Sequence, residues 1–154
     1  MREPTLKDHI GYWINRLRME VHQAFEARLA TYDVTIAQWC ILASLYGQEG
    51  ESITELAAHI EVDKASISRV VERMKEKGLL THKAGKDRRS GHVQLTREGA
   101  LLVPQLFREA AENEHHFFGH LSEEEREQFR KIFCRIFTAI PSIQQQGWLN
   151  TADT

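Results

Sequence analysis

Cysteine and proline are scarce in this chain, with two of the first and three of the second among 154 residues. Cys40 and Cys134 lie far apart, form no CxxC pair and have no zinc-finger spacing. Both stand in apolar, helical-looking surroundings, which suits small buried thiols; a redox sensor is the competing reading. Three prolines and nine glycines are too few for a collagen-like or low-complexity chain. Long apolar runs are missing as well. The best, residues 36–46, is interrupted by Gln38 and falls short of the roughly 18 residues of a membrane span. The opening MREPTLKDHI has no apolar stretch of the secretory kind. The expectation is a soluble, cytoplasmic protein with no membrane partner. HExxH, P-loop, GxSxG and GxGxxG signatures are also absent, so neither an enzyme nor a cofactor is expected.

What is present is a segregation of charge. The formal net charge is only −2, yet residues 64–97 hold ten basic side chains against three acidic. The flanks are acidic, with five basic against ten acidic side chains before that block and five against nine after it. A basic centre in an acidic chain is the electrostatic footprint of a polyanion-binding face. A merely solvated charge run is the alternative, and periodicity has to decide between them.

The periodicity is helical at first. Ile10, Ile14, Leu17, Val21, Phe25 and Leu29 recur at spacings of three and four, predicting a long helix over 5–31. Thr35–Gln38 is a capping box opening a second helix to about Tyr46, and Ser52–Glu55 is another, opening a short third. Asp63 is the N-cap of a fourth helix whose apolar face is Ile67, Val70, Val71 and Met74, ended by Gly78. Residues 79–83 and 92–96 then read as two short strands around a basic, glycine-flanked tip. Thr96 caps a helix running to about Gly119, with a kink expected at Pro104. Ser122–Glu125 caps the last helix, which carries Phe129, Ile132, Phe133, Ile136, Phe137 and Ile140.

Two short helices, a tight turn and a basic hairpin make a winged helix-turn-helix, here mainly α with a small β-hairpin wing. With its apolar face inward, the fourth helix turns Ser66, Ser68, Arg69 and Arg73 outward for a major groove. Small Ala65, Ser66 and Ser68 permit close backbone approach, and Arg69 and Arg73 can reach a guanine edge or a phosphate. At the hairpin tip Arg88 and Arg89 suit a narrow minor groove, with Asp87 orienting a neighbouring arginine. Lys64 belongs to the same face, and Lys83, Lys86 and Arg97 are candidates for phosphate contacts. The expected partner is double-stranded DNA. A protein-interaction module would explain the amphipathic helices but not the basic block.

The run ELAAHIEVDKASISRVVERMKEKGLL, followed by DRRSGHVQLTREG, closely resembles the MarR family of bacterial transcriptional regulators. The preceding YDVTIAQWCIL fits the same pattern, and the resemblance covers about residues 8–140. It implies a homodimer with intertwined first and last helices, and repression relieved by a small molecule bound between those helices and the DNA-binding lobe. The apolar stripes on 10–29 and 129–140 ask for a second chain on their own account. The expected division is 1–34 for the first dimerisation helix, 35–97 for the DNA-binding domain, 98–141 for the remaining dimerisation helices and 142–154 for a tail.

Regulators of this kind often take anionic aromatic compounds. In that light Arg16 and His22 are candidate anion partners, and Trp13 and Trp39 candidate pocket walls. A surface arginine, a satisfied histidine and two core tryptophans would look the same in sequence. A zinc-responsive alternative comes from His116 and His120, spaced i, i+4 as if on one helix face, although the second helix offers Gln38 and Trp39 rather than a further ligand.

Overall fold

The computed structural model describes residues 3–60, 63–83 and 91–140. A short 3-10 turn, Leu6–Asp8, precedes α1 (Ile10–Ala30), α2 (Ile36–Leu45), β1 (Glu51–Ser52), α3 (Ile53–Ile60) and α4 (Lys64–Glu76). There follow β2 (Leu80–His82), β3 (His92–Leu95), α5 (Arg97–Phe118) and α6 (Glu123–Thr138). Among the described residues no helix is long and apolar enough to cross a membrane.

Local side-chain chemistry sets most of these boundaries. The Thr35 hydroxyl accepts from the Gln38 amide at 3.2 Å while the Gln38 side chain accepts from the Thr35 amide at 3.1 Å. That exchange satisfies the side-chain oxygen of Gln38, one of two buried polar residues among those described. Ser52 and Glu55 make the same box, as do Ser122 and Glu125. Asp63 caps α4 by accepting from the Ser66 amide at 2.9 Å, and Gly78 leaves the helix at φ +73°.

Two boundaries differ from the sequence reading. The first helix is not continuous over 5–31, because His9 is extended between the 3-10 turn and α1. The Asp8 carboxylate reaches back to the Thr5 amide at 2.6 Å and the Thr5 hydroxyl at 2.8 Å, a local closure that competes with helical continuation. The wing has a third strand. β1 pairs with β3 through Glu51↔Val93 and Ser52↔His92, giving an antiparallel sheet in the order β1-β3-β2. Helix α5 runs through Pro104.

The core is centred on the winged lobe. Ile41, Leu42, Leu45, Leu56, Ile67, Val71, Met74, Leu80 and Val93 are buried there, joined by Leu29 from α1 and Val103 and Leu106 from α5. This is the predicted face of α4, with Val70 packed at its edge. Helix α6 buries no residue fully, and Ile10 at the start of α1 is 75% exposed. Between the N-terminal half of α1 and α6 lies an apolar groove of about 650 Å³, walled by Ile14, Leu17 and Val21 on one side and Phe129, Ile132 and Ile136 on the other.

Candidate nucleic-acid interface

The buried face of α4 fixes what its other face can present. With Ile67, Val71 and Met74 inward, a 100° step per residue turns Ala65, Arg69 and Arg73 outward, and all three are exposed, as is Lys64. Ser66 and Ser68 are half-buried. The Ser66 hydroxyl donates to the second oxygen of Asp63, so both Ser66 donors serve the cap. Those bonds, the side-chain one first, hold the Asp63 carboxyl below the ordinary carboxylate range. A carboxylate thus already occupies the start of α4, and this helix would meet a polyanion through its arginines rather than through its terminal amides.

Glu72, which the sequence reading passed over, shares the outward face. It is paired with Lys75 at 2.8 Å, which offsets the repulsion its carboxylate would offer a polyanion beside the arginine row. The ten-to-three charge count contained Glu72 but not its direction. Lys83 is half-buried, with its ammonium 3.7 Å from Glu49. Arg97 is exposed in the first turn of α5. Lys86, Asp87, Arg88 and Arg89 lie outside the described residues.

The four candidate effector residues fall in different places. Trp13 is half exposed, lines the groove between α1 and α6, and donates its indole N–H to the Lys7 carbonyl at 2.8 Å. Trp39 stands edge-on to Phe25 and Phe107, at 6.0 and 4.8 Å between ring centroids, and Tyr46 extends the row past Phe107 at 5.9 Å. Trp13 and Phe25 are separated along α1 by a rise of roughly 18 Å, so Trp13 and Trp39 do not share a pocket within one chain. Arg16 is exposed and donates to the Tyr12 hydroxyl at 3.3 Å, a bond that favours its charged form. His22 faces Glu26 at 3.4 Å on the same helix. Phe107 and Tyr46 were not singled out in the sequence, where nothing ties them to Trp39.

The zinc geometry needs correction. Helix α5 ends at Phe118, so His120 lies in the turn beyond Gly119 and not on a helix face with His116, which instead stands against the Phe117 ring at 4.8 Å. Among the described residues no group of three His, Cys, Asp or Glu side chains could hold a metal ion. Cys40 and Cys134 are both half-buried, and burial pushes the Cys40 thiol up, away from the reactive thiolate.

Comparison with known proteins finds a family model, curated relatives and solved structures similar to this chain. The model of the MarR family matches residues 32–90. The HTH-type transcriptional repressor IacR of Pseudomonas putida is 26% identical over 132 residues, covering 85% of this chain and 79% of the relative. The crystal structure of CouR from Rhodococcus jostii RHA1 bound to p-coumaroyl-CoA superposes with a TM-score of 0.77 at 22% identity, covering 87% of this chain and 95% of that one. The structure of Bordetella bronchiseptica BpsR, described in terms of regulation of its DNA binding by 6-hydroxynicotinic acid, gives a TM-score of 0.76 at 25% identity, covering 88% and 99%.

Proposed function

We propose that the chain is a DNA-binding transcriptional regulator of the MarR family, whose model matches residues 32–90, and that it acts as a homodimeric repressor released by a small aromatic acid. The observation that carries this reading is the pairing of two surfaces. The outward face of α4 offers Arg69 and Arg73 to a groove, and the apolar faces of α6 and of the N-terminal half of α1 are left open by a core that takes only the C-terminal end of α1. Two copies packed through those helices would hold two reading helices on a two-fold axis. Such a dimer matches a pseudo-palindrome with half-sites about 10–10.5 base pairs apart.

Lys64, Ala65, Ser66, Ser68, Arg69 and Arg73 form the proposed major-groove element. Lys86, Arg88 and Arg89, with Asp87 orienting an arginine, complete it from the wing, and Lys83 would have to give up Glu49 to reach a phosphate. For the effector we assign Trp39 as a wall and Arg16 as the carboxylate partner, with Trp13 and His22. These four would meet across the two-fold rather than within one copy. IacR is named as a repressor, and the BpsR description joins DNA binding to a hydroxylated aromatic acid, which is the chemistry proposed for this chain.

The test is a titration of labelled duplex, selected by the protein from a random library, at 50 and 200 mM salt. A regulator contacting six to ten phosphates loses about 10³–10⁵ in affinity across that range. No duplex binding at 50 mM would overturn the reading.

A further inference from the structure

The C-terminal end of α4 is held from two sides. From one, the Lys77 ammonium leaves its own helix, donates to the Asp33 carbonyl at 2.6 Å and pairs with the Asp33 carboxylate at 2.8 Å. From the other, the Thr96 hydroxyl at the head of α5 donates to the Gly78 carbonyl at 2.6 Å, and the Thr96 amide donates to the Leu79 carbonyl at 3.0 Å. Asp33 lies in the α1–α2 corner with φ +56°, a left-handed conformation unusual for a residue with a Cβ, and its carbonyl there faces Lys77.

The same corner is tied to α5 a second time. Both oxygens of Glu109 are used, one accepting from the Tyr32 hydroxyl at 3.1 Å and the other from the Arg28 guanidinium at 3.3 Å. The result is a closed frame: from α4 through Asp33 to the end of α1, across Glu109 to α5, and back through Thr96 to the residue after Lys77. The exposed arginines of α4 lie four and eight residues before Lys77, so a small shift at this end changes where they point. None of Asp33, Lys77 or Glu109 is on the outward face of α4.

We propose that Asp33 and Lys77 are positioning residues that set the angle of α4 against the α1–α5 scaffold, with Glu109 as the joint through which movement between those two helices reaches α4. The inference rests on the DNA-binding reading given above. It predicts dependence of sequence-specific affinity on side chains that touch no nucleic acid, through one contiguous chain of contacts.

The full-length wild type, K77Q, K77R, D33N and E109Q are compared by fluorescence anisotropy on the selected duplex and on a random duplex of equal length. Salt is varied from 50 to 200 mM, and melting curves are recorded alongside. K77Q and E109Q are expected to lose about 3- to 30-fold on the selected duplex and under about twofold on the random one, with unchanged salt slopes. K77R and D33N, which keep the donor or the left-handed carbonyl, should lie between them and wild type. Combining K77Q with D33N should cost no more than K77Q alone, since both act on one contact.

A K77Q salt slope smaller by about 0.9, with equal loss on both duplexes, would make Lys77 a phosphate contact and overturn the proposal. So would affinity losses that merely follow the melting temperatures across all four variants. Wild-type binding with variants unchanged refutes this inference alone, whereas a wild type that binds no duplex refutes the parent reading as well.

Discussion

Gly99 gives the sharpest test of how the reading helix is joined to the scaffold. A Cβ built there would sit 2.3 Å from the Leu79 carbonyl oxygen, 3.2 Å from its carbon and 3.4 Å from Leu95 Cδ2. The shortfall from an ordinary 3.4 Å contact is about 1.1 Å, and the obstacle is backbone that cannot rotate away. The same oxygen accepts the Thr96 amide, so relieving the clash pulls apart the two Thr96 bonds that seat α5 on the end of α4. Overpacking costs about 1–3 kcal/mol and each lost hydrogen bond about 1 kcal/mol, against a gain of at most about 1 kcal/mol from replacing glycine in a helix. The net for Gly99→Ala is a loss of about 2–3 kcal/mol, which for a chain of this size lowers the melting temperature by about 5–10 °C. Gly11, with nothing within 4 Å, is the matched control. Gly11→Ala should melt at or above wild type, by about 0.4–1 kcal/mol. Differential scanning calorimetry on the three proteins decides. A Gly99→Ala protein melting within about 1 °C of wild type, or a Gly11→Ala protein falling equally far, would refute the close-approach argument.

Other outcomes follow from features already described. Ile132→Glu puts a charge in the groove between α1 and α6, so sedimentation should show a monomer for the variant and the proposed dimer for wild type, at an interface cost above about 2 kcal/mol. A dimeric variant would count against the groove as the dimer surface. The Asp63 cap should be pH-sensitive in a defined direction: its folded pKa lies below the unfolded value near about 3.9, so its stabilisation is complete above that pH and disappears as the pH falls through the lowered value. Asp63→Asn should therefore flatten the acid limb of a stability-against-pH curve, and an unchanged limb would show that the cap does not titrate there. Arg73→Ala should cost about 1–3 kcal/mol at positions inside the half-site, and Lys83→Ala little, because Lys83 already faces Glu49. Equal losses for the two variants would refute that division. Arg16→Ala should retain operator binding and lose release by aromatic acids such as 6-hydroxynicotinic acid. Unchanged release in an anisotropy titration would remove Arg16 from the effector site.

The parts legible in the sequence were those governed by near neighbours. Each capping box joins residues i and i+3, and each appears where Thr35, Ser52 and Ser122 announce it. The inward face of α4 was legible for the same reason, since four apolar residues at helical spacing must share a side. β1 was not, because two residues carry no period and Glu51 and Ser52 pair with Val93 and His92 some forty positions away. Nor was the break at His9, where an Asp8 carboxylate turned back on Thr5 competes with a run of good helix formers. The fold and the basic face of α4 follow from composition and spacing. The grouping of Trp13, Arg16, His22 and Trp39 does not, because helix rise alone separates the tryptophans, and which aromatic meets Trp39 depends on how α5 lies across α2. Thr96 was legible as the cap of α5, and its hydroxyl does accept from the Gly99 amide, but its bond to the Gly78 carbonyl was not; Gly99 stood only within the DRRSGHVQLTREG run, and the structure gives its reason in the carbonyl of Leu79.

Helix α6 contributes no fully buried side chain, while the lobe that carries α4 completes its interior with Leu29 of α1 and Val103 and Leu106 of α5 from the same chain. If a second copy is what covers α6, then association obeys mass action while the lobe's folding does not. Occupancy of a two-part operator would then rise steeply with the number of chains per cell. The threshold for silencing a promoter would be written into the hydrophobicity of an arm that never touches the promoter.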